Sequence, residues 1–267
     1  VTDFDIERVE AGITGTQFAG SVVHLESVGS TNTLALEAAQ SGARTGAWVA
    51  DEQTAGRGRG GHSWHSVAGD GLYVSVLVTP ALPMRLALWI SLATGLAVKD
   101  AVAKTTGLSA DIRWPNDLLS GGRKFGGILV ETAIAPATSE QMEAALRYAV
   151  IGIGINLNHR SFPGGIAHLA TSLFLEGGEP LRREPLLANL LQSLARELSL
   201  LESDGGGDLL ERFTAASSWV RGKRVRVEEA GGYGGVTAGL DARGFLQVVS
   251  DDGVPRTVIS GGVREPS

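Results

Sequence analysis

The sequence predicts an α+β protein: a body of interleaved strands and helices over residues 1–220, then a small all-β module over residues 221–267. Three observations predict it. Leu72-Tyr73-Val74-Ser75-Val76-Leu77-Val78 is almost continuously apolar and rich in β-branched side chains, the signature of a buried strand. Pro185 to Leu201 carries Leu186, Leu190, Leu194, Leu198 and Leu201 near one face of a helix. From Gly222 onward the pattern changes to short alternating runs separated by glycine turns.

In chain order, Val22 to Leu25 reads as a short strand ending near Gly29. Ser30 is placed to cap a helix over Thr31–Gln40 whose apolar positions are Leu34, Leu36 and Ala38. Trp48-Val49-Ala50 opens a second strand that runs into a glycine-rich segment, and the Leu72–Val78 strand follows. Pro83 starts a long core helix to about Thr105. Ile112-Arg113-Trp114 is extended because Pro115 follows it. Strands over Gly127–Ala133 and Tyr148–Leu157 flank a helical stretch, Thr138–Leu146. Ser161–Pro180, rich in turn formers, is expected as surface loop, and Gly205-Gly206-Gly207 ends the leucine-rich helix. The runs Val225–Val227, Val236–Leu240, Phe245–Val249 and Thr257–Ile259 make up the β module.

Composition narrows the function classes. A hydrophobic fraction of 43% argues against disorder. A net charge of −6 disfavours a general nucleic-acid surface. The chain has no cysteine, which excludes disulfides, thiolate metal sites and a cysteine nucleophile, and fits a reducing cytoplasm. The acidic first ten residues are unlike a secretory signal, and the apolar run Leu86–Val98 is broken by Ser91, Thr94 and Gly95, so no membrane segment is expected.

Four segments carry chemistry. In Gly56-Arg57-Gly58-Arg59-Gly60-Gly61 the glycines let backbone N–H groups approach an anion, and the arginines supply charged forks for carboxylate or phosphate. Such a loop is expected to be mobile until a ligand arrives; a flexible turn with solvated arginines is the plainer alternative. It is neither a Walker loop nor a Rossmann fingerprint. Arg113-Trp114-Pro115-Asn116-Asp117 places an amide and a carboxylate on a rigid turn. Lys124, one of four lysines, sits at a strand entry beside Gly126 and Gly127. Gly152-Ile153-Gly154 leaves one strand face bare, for a ligand or for tight packing. His62 and His65 lack a nearby Cys or acidic partner, so no zinc site is read there.

In order and spacing these segments, with Gly29-Ser30-Thr31-Asn32 before them, Gln53 to Trp64 around the loop and Thr171-Ser172-Leu173 after them, resemble the biotin–protein ligases, over about Val22–Val263. The resemblance implies a mixed β-sheet backed by helices, like that of class II synthetases, with a C-terminal SH3-like barrel. It implies biotin contacts from Ser30, Thr31, Asn32, Gln53, Gly56, Arg57, Gly58, Arg59, Lys124, Gly127 and Gly154. It implies nucleotide contacts from Arg59, Trp64, Asn116, Lys124 and Asn156, and catalytic roles for Lys124, Arg57, Arg59 and Asp117. The implied reaction forms biotinyl-5′-AMP from biotin and Mg²⁺–ATP. The biotin then passes to a lysine of a biotin carboxyl carrier protein.

Three departures qualify the resemblance. Gly60 and His62 stand where many family members have arginine, and Arg113 replaces a common lysine. Gly29 lies too near the start for a preceding winged helix, so a ligase without repressor function is expected, as a monomer or weak homodimer in the cytoplasm. Lipoate–protein ligase is the nearest rival, and a non-catalytic biotin sensor or nucleic-acid binder is a rival of another class.

Overall fold

The computed structural model describes residues 4–136, 143–203, 206–229, 231–260 and 262–266. In chain order the elements begin with α1 (Ile6–Gly12), β1 (Val22–Val28), α2 (Thr31–Gln40), β2 (Gly46–Gln53) and β3 (Gly71–Val78). They continue with α3 (Ala87–Thr106), β4 (Asp111–Arg113), β5 (Asp117–Ser120), β6 (Arg123–Ile134) and β7 (Leu146–Asn156). Then come α4 (Leu173–Gly177), α5 (Arg183–Ser203), α6 (Leu209–Ala216), β8 (Arg221–Val227), β9 (Tyr233–Leu240), β10 (Leu246–Ser250), β11 (Pro255–Val258) and β12 (Val263–Arg264). The described residues form a seven-stranded sheet in the order β1-β2-β3-β7-β6-β5-β4 and a five-stranded sheet in the order β11-β10-β9-β8-β12. The first is mixed, because β1 and β2 run parallel while the other neighbours are antiparallel. The second is antiparallel and matches the small SH3-like module expected after residue 220.

Side chains alternate across a strand, so a strand buried on both faces serves two neighbours. Leu72, Val74, Val76 and Val78 of β3 join Ile151, Ile153 and Ile155 of β7 in the main core. The leucines of α5 and much of α3 pack there too. Leu77 of β3 and Val150 of β7 point the other way, against Ala35 and Ala39 of α2. The site lies on this second face, beside α2.

The 23-residue helical run Met84–Thr106 is long and apolar enough to cross a membrane, but 72% of its apolar window is buried in the core. Eight of its own side chains, among them Ile90, Leu92, Ala97 and Val98, are fully enclosed, which is the behaviour of a core helix.

Several expectations are corrected. Ser30 sits at the α2 N-cap but its hydroxyl makes no capping bond. The α2 core face is Ala35 and Ala39, not Leu34 and Ala38, because the sheet approaches so closely that alanine is what fits. The stretch expected to be helical, Thr138–Leu146, falls largely outside the described residues, and Leu146 itself opens β7. Gly205 lies outside them as well. Ser161–Pro180 is not all surface: it contains α4, capped by Ser172, and Thr171 and Ser172 are fully buried. Asp117 is not on the turn but is the first residue of β5, and the turn is Trp114-Pro115-Asn116, with a cis Trp114–Pro115 bond. The short helices α1 and α6 were not anticipated.

The two sheets are tied by two tryptophans. Trp89 Nε1 donates to Arg243 O and Trp114 Nε1 to Gly244 O, each at 2.9 Å.

Candidate active site

The glycines of β6 and β7 build the floor. Gly127 pairs with Gly154, Leu129 with Gly152, and Glu131 with Val150. On the other flank Ser75 of β3 pairs with Gly152. By strand alternation Ser75, Gly152, Gly154, Gly127, Leu129 and Glu131 therefore share the α2 face. A Cβ at Gly152 would fall 2.1 Å from Asn32 Oδ1, and one at Gly154 would fall 2.5 Å from Trp64 Cε2. Both are far inside contact distance, so the bare face admits the amide of Asn32 and the indole of Trp64. The choice left open in the sequence, ligand approach or tight packing, resolves into close packing by side chains that themselves border a pocket.

One end of that pocket is neutral and polar. Gln53 Oε1 accepts from the Thr31 N–H at 2.9 Å, and Gln53 Nε2 donates to Ser66 Oγ at 3.2 Å. Asn32 Nδ2 donates to Glu131 Oε2 at 2.9 Å, which leaves Asn32 Oδ1 to accept from Ser75 Oγ. With its one proton so used, Ser75 can only accept from Thr31 Oγ1, 2.7 Å away. Thr31 then has no proton for Gln53 Oε1 at 3.1 Å. The network is one proton short, so it presents acceptor capacity that an incoming N–H can fill.

The other end is cationic. Gly58 N donates to His62 O at 2.7 Å and Trp64 N to Gly56 O at 2.9 Å, and Arg57 bridges Ser63, so the glycine segment folds back on itself as a hairpin. At its tip Gly60 and Gly61 have φ of 68° and 81°, a backbone that an arginine at position 60 would adopt only under strain. Arg57 Nη2 donates to Glu131 Oε1 at 2.8 Å. Arg59 Nη2 reaches the C-terminal module, donating to Ser260 O in the bend after β11 at 2.8 Å. Burial lowers the Arg59 pKa from its ordinary value, with Asp117 and Glu229 opposing the shift. Lys124 Nζ pairs with Asp117 Oδ1 and lies 5.5 Å from the Trp64 ring centre. Trp64 Nε1 is buried without a partner among the described residues.

Asp117 is held from both sides. Arg113 donates to its Oδ2 through Nε (3.2 Å) and Nη2 (2.6 Å) while Lys124 takes Oδ1. Burial by itself would raise the carboxyl pKa, but the charges of Lys124 and Arg113 outweigh it and hold the value below the ordinary carboxylate range. Arg113 in turn stacks over Trp219, 5.3 Å from the ring centre. The main chain of Lys124 is pinned by the loop before α4: its N–H donates to Leu169 O at 2.8 Å, and its carbonyl accepts from Thr171 N at 2.9 Å.

Ser30, Thr31, Asn32, Gln53, Arg57, Gly58, Arg59, Trp64, Asn116, Lys124, Gly127 and Gly154 thus line one inner pocket of about 40 Å³. Gly56 does not line it. It lies beneath the Trp64 carbonyl, which a Cβ would approach to 2.8 Å. Asp117 and Asn156 line the adjoining outer cleft of about 1430 Å³, which also takes in Glu228, Glu229 and Glu265 of the C-terminal module. Asn156 is nearly buried and its amide donates to Thr171 O at 3.0 Å, and Asn116 Nδ2 donates to Ile128 O at 3.0 Å.

Comparison with known proteins agrees with this geometry. The profile of the Biotin/lipoate A/B protein ligase family matches residues 25–156, the stretch that holds α2, the hairpin, Lys124 and the glycine floor. The chain is 34% identical over 242 residues to the biotin–[acetyl-CoA-carboxylase] ligase of Mycobacterium tuberculosis, covering 88% of this chain and 84% of that protein. The chain belongs to the biotin–protein ligase family. It is also 30% identical over 239 residues to the bifunctional ligase/repressor BirA of Bacillus spizizenii, covering 88% of this chain and 71% of that one. Among solved structures it resembles the biotin protein ligase from Aquifex aeolicus in complex with biotin and ATP, with a TM-score of 0.78, 26% identity, and coverage of 92% of this chain and all of that chain.

Two side chains of this candidate site escaped the sequence reading. Ser75 is fully buried in the polar network, and its signal was a hydroxyl in an otherwise apolar strand. Glu131 joins Asn32 to Arg57, and its signal was a carboxylate two positions beyond Leu129, on the face of Gly127. Neither signal means anything until the face that points at α2 is known.

Proposed function

We propose that the chain activates biotin with ATP and transfers it to a lysine of a biotin carboxyl carrier protein. The observation that carries this reading is the juxtaposition of a neutral, acceptor-rich recess (Thr31, Asn32, Gln53, Ser75) with three cations (Arg57, Arg59, Lys124) at its mouth. A ureido ring brings N–H donors to the recess, and its carboxylate chain reaches the cations.

In the first step the biotin carboxylate oxygen bonds to the α-phosphorus of ATP and pyrophosphate leaves with the electrons of the broken P–O bond. Two like unit charges about 4 Å apart repel by roughly 4 kcal/mol at an effective dielectric near 20. Lys124 and the two arginines would offset that and the charge building on the phosphate. In the second step the neutral amine of the carrier lysine attacks the anhydride carbonyl, AMP leaves, and the amine gives up a proton. Asp117, kept ionised by Lys124 and Arg113, would orient that amine from the outer cleft. Each cation already has a protein partner, so ligand binding exchanges one set of contacts for another. The inner pocket shares Gln53, Gly58, Arg59, Trp64, Asn116 and Lys124 with the outer cleft, so the two are continuous. The hairpin and Trp64 stand at that junction, and their closing over the bound ring would keep water from the anhydride.

Mg²⁺ enters as part of the nucleotide substrate, carried on its phosphates. Among the described residues no group of three or more His, Asp or Glu side chains is set to hold a metal by itself. Asn116 and Asn156, in or beside the cleft, offer amide oxygens to the nucleotide. Residues 1–220 and 221–267 form a catalytic and a C-terminal domain in this reading, the protein acts in the cytoplasm where ATP is supplied, and it works on a carrier protein rather than on nucleic acid, as a monomer or weak dimer. Biotin-dependent exchange of label between pyrophosphate and ATP, followed by labelling of a carrier domain, tests the reading. Exchange driven by lipoate and not biotin would replace it with the lipoate reaction.

A further inference from the structure

We propose that Glu131 is a positioning residue that ties the ring recess to the glycine hairpin, so that order at Asn32 is transmitted to the loop that covers the ligand. Its link to ligand retention rests on the function proposed above, but the tie itself does not. The geometry is specific. Glu131 Oε2 accepts from Asn32 Nδ2 at 2.9 Å and Oε1 accepts from Arg57 Nη2 at 2.8 Å, so one carboxylate is shared between the first turn of α2 and the hairpin. Turned over, the Asn32 amide would set Oδ1 against the Glu131 carboxylate oxygen, two acceptors with no proton between them, so the orientation with Nδ2 towards Glu131 is fixed. Glu131 lies on the pocket side of β6, opposite Val150, and is itself largely shielded, with a side chain 24% exposed. Arg57 is 45% exposed and extends from a hairpin that carries four glycines between 56 and 61, so the pair adds to the Arg59–Ser260 bond as a restraint on a segment with high intrinsic freedom.

A ligand that fills the recess adds to the bonds that already hold Asn32, so the bond to Oε2 breaks less often and Oε1 stays aimed at Arg57. The same path in reverse predicts that a loosened Glu131 lets the hairpin open and the activated acid escape.

Amide hydrogen exchange on the full chain tests this. Glu131→Gln, which keeps the shape but replaces one acceptor by a donor, should speed exchange at residues 56–62 by about two- to fivefold, as befits a partly exposed charged pair, while β7 is unaffected. Arg57→Gln should do the same, and the double variant should be no faster than either single one. Asn32→Ala, outside the hairpin, should speed exchange there about twofold. With biotin and ATP present, Glu131→Gln should release acyl-adenylate several times faster than it loses the rate of forming it. Unchanged hairpin exchange in Glu131→Gln, or additive effects in the double variant, would overturn the tie. Altered exchange together with no biotin-dependent pyrophosphate exchange in the unmutated protein would leave the tie standing and remove the ligase reading instead.

Discussion

Replacing Lys124 by alanine separates catalysis from folding, and the structure sets both magnitudes. The ammonium pairs with Asp117 Oδ1, but Arg113 holds Oδ2 with two donors at 3.2 and 2.6 Å. Removing Lys124 therefore does not strand a buried carboxylate, which would cost about 3–5 kcal/mol. The Lys124 side chain is 32% exposed, so the pair it gives up is closer in worth to a surface ion pair, about 1 kcal/mol or less. Its backbone bonds to Leu169 and Thr171 survive the change. Loss of a preorganised charge at a developing phosphate anion, by contrast, costs about 3–4 kcal/mol, or roughly 10²–10³ in rate. Lys124→Ala should thus lower biotin-dependent pyrophosphate exchange at least a hundredfold while urea unfolding shows a loss near 1 kcal/mol. An exchange rate within threefold of the unmutated protein would refute the assigned role. A stability loss above about 3 kcal/mol would refute the claim that Arg113 suffices to hold Asp117.

Asp117→Asn should slow transfer from pre-formed adenylate more than it slows pyrophosphate exchange, measured by single-turnover labelling of a carrier domain; equal losses would place Asp117 in the first step. Gly154→Ala puts a Cβ 2.5 Å from Trp64, and displacing the indole at about 1–2 kcal/mol should weaken biotin binding roughly tenfold by calorimetry, whereas unchanged affinity would mean Trp64 does not border the ligand. Asp100 supplies a pH signature. Burial by itself would raise its pKa, but hydrogen bonds from Lys104, Ser193 and Arg196 and the charge of Lys104 hold it down at about 2. A pKa lower in the folded than in the unfolded chain stabilises above about pH 4 and is lost as pH falls towards 2. The urea midpoint of Asp100→Asn should therefore fall less steeply than that of the unmutated protein between those values, and parallel curves would contradict the pairing.

The strands and the long helices were legible in the sequence because each is written in local periodicity. The β-branched run of β3, the leucine stripe of α5 and the alternating runs after Gly222 announce their own burial. The short helices α1 and α6 were not, since seven or eight residues hold too few turns to show a period. The motif residues came as a set from their order, which a family shares whatever the fold. Twelve of them line one pocket; Gly56 supports it from below, and Asp117 and Asn156 lie in the cleft beside it.

What the chain order could not contain is which atoms meet. Ser75, Gly152 and Glu131 lie up to 77 residues apart in the chain, and only the register of β3 against β7 and of β7 against β6 sets them side by side facing α2. The partner of each cation was likewise decided in three dimensions: Arg57 by Glu131 on a distant strand, Arg59 by Ser260 in the bend after β11, and Lys124 by Asp117 across a hairpin. Local sequence determines which residues can supply a charge or a bare backbone, because those are properties of single side chains. Whether a charge is offered to a ligand or held by a neighbour depends on distances of a few ångströms, and those exist only once non-local pairing has closed the sheet.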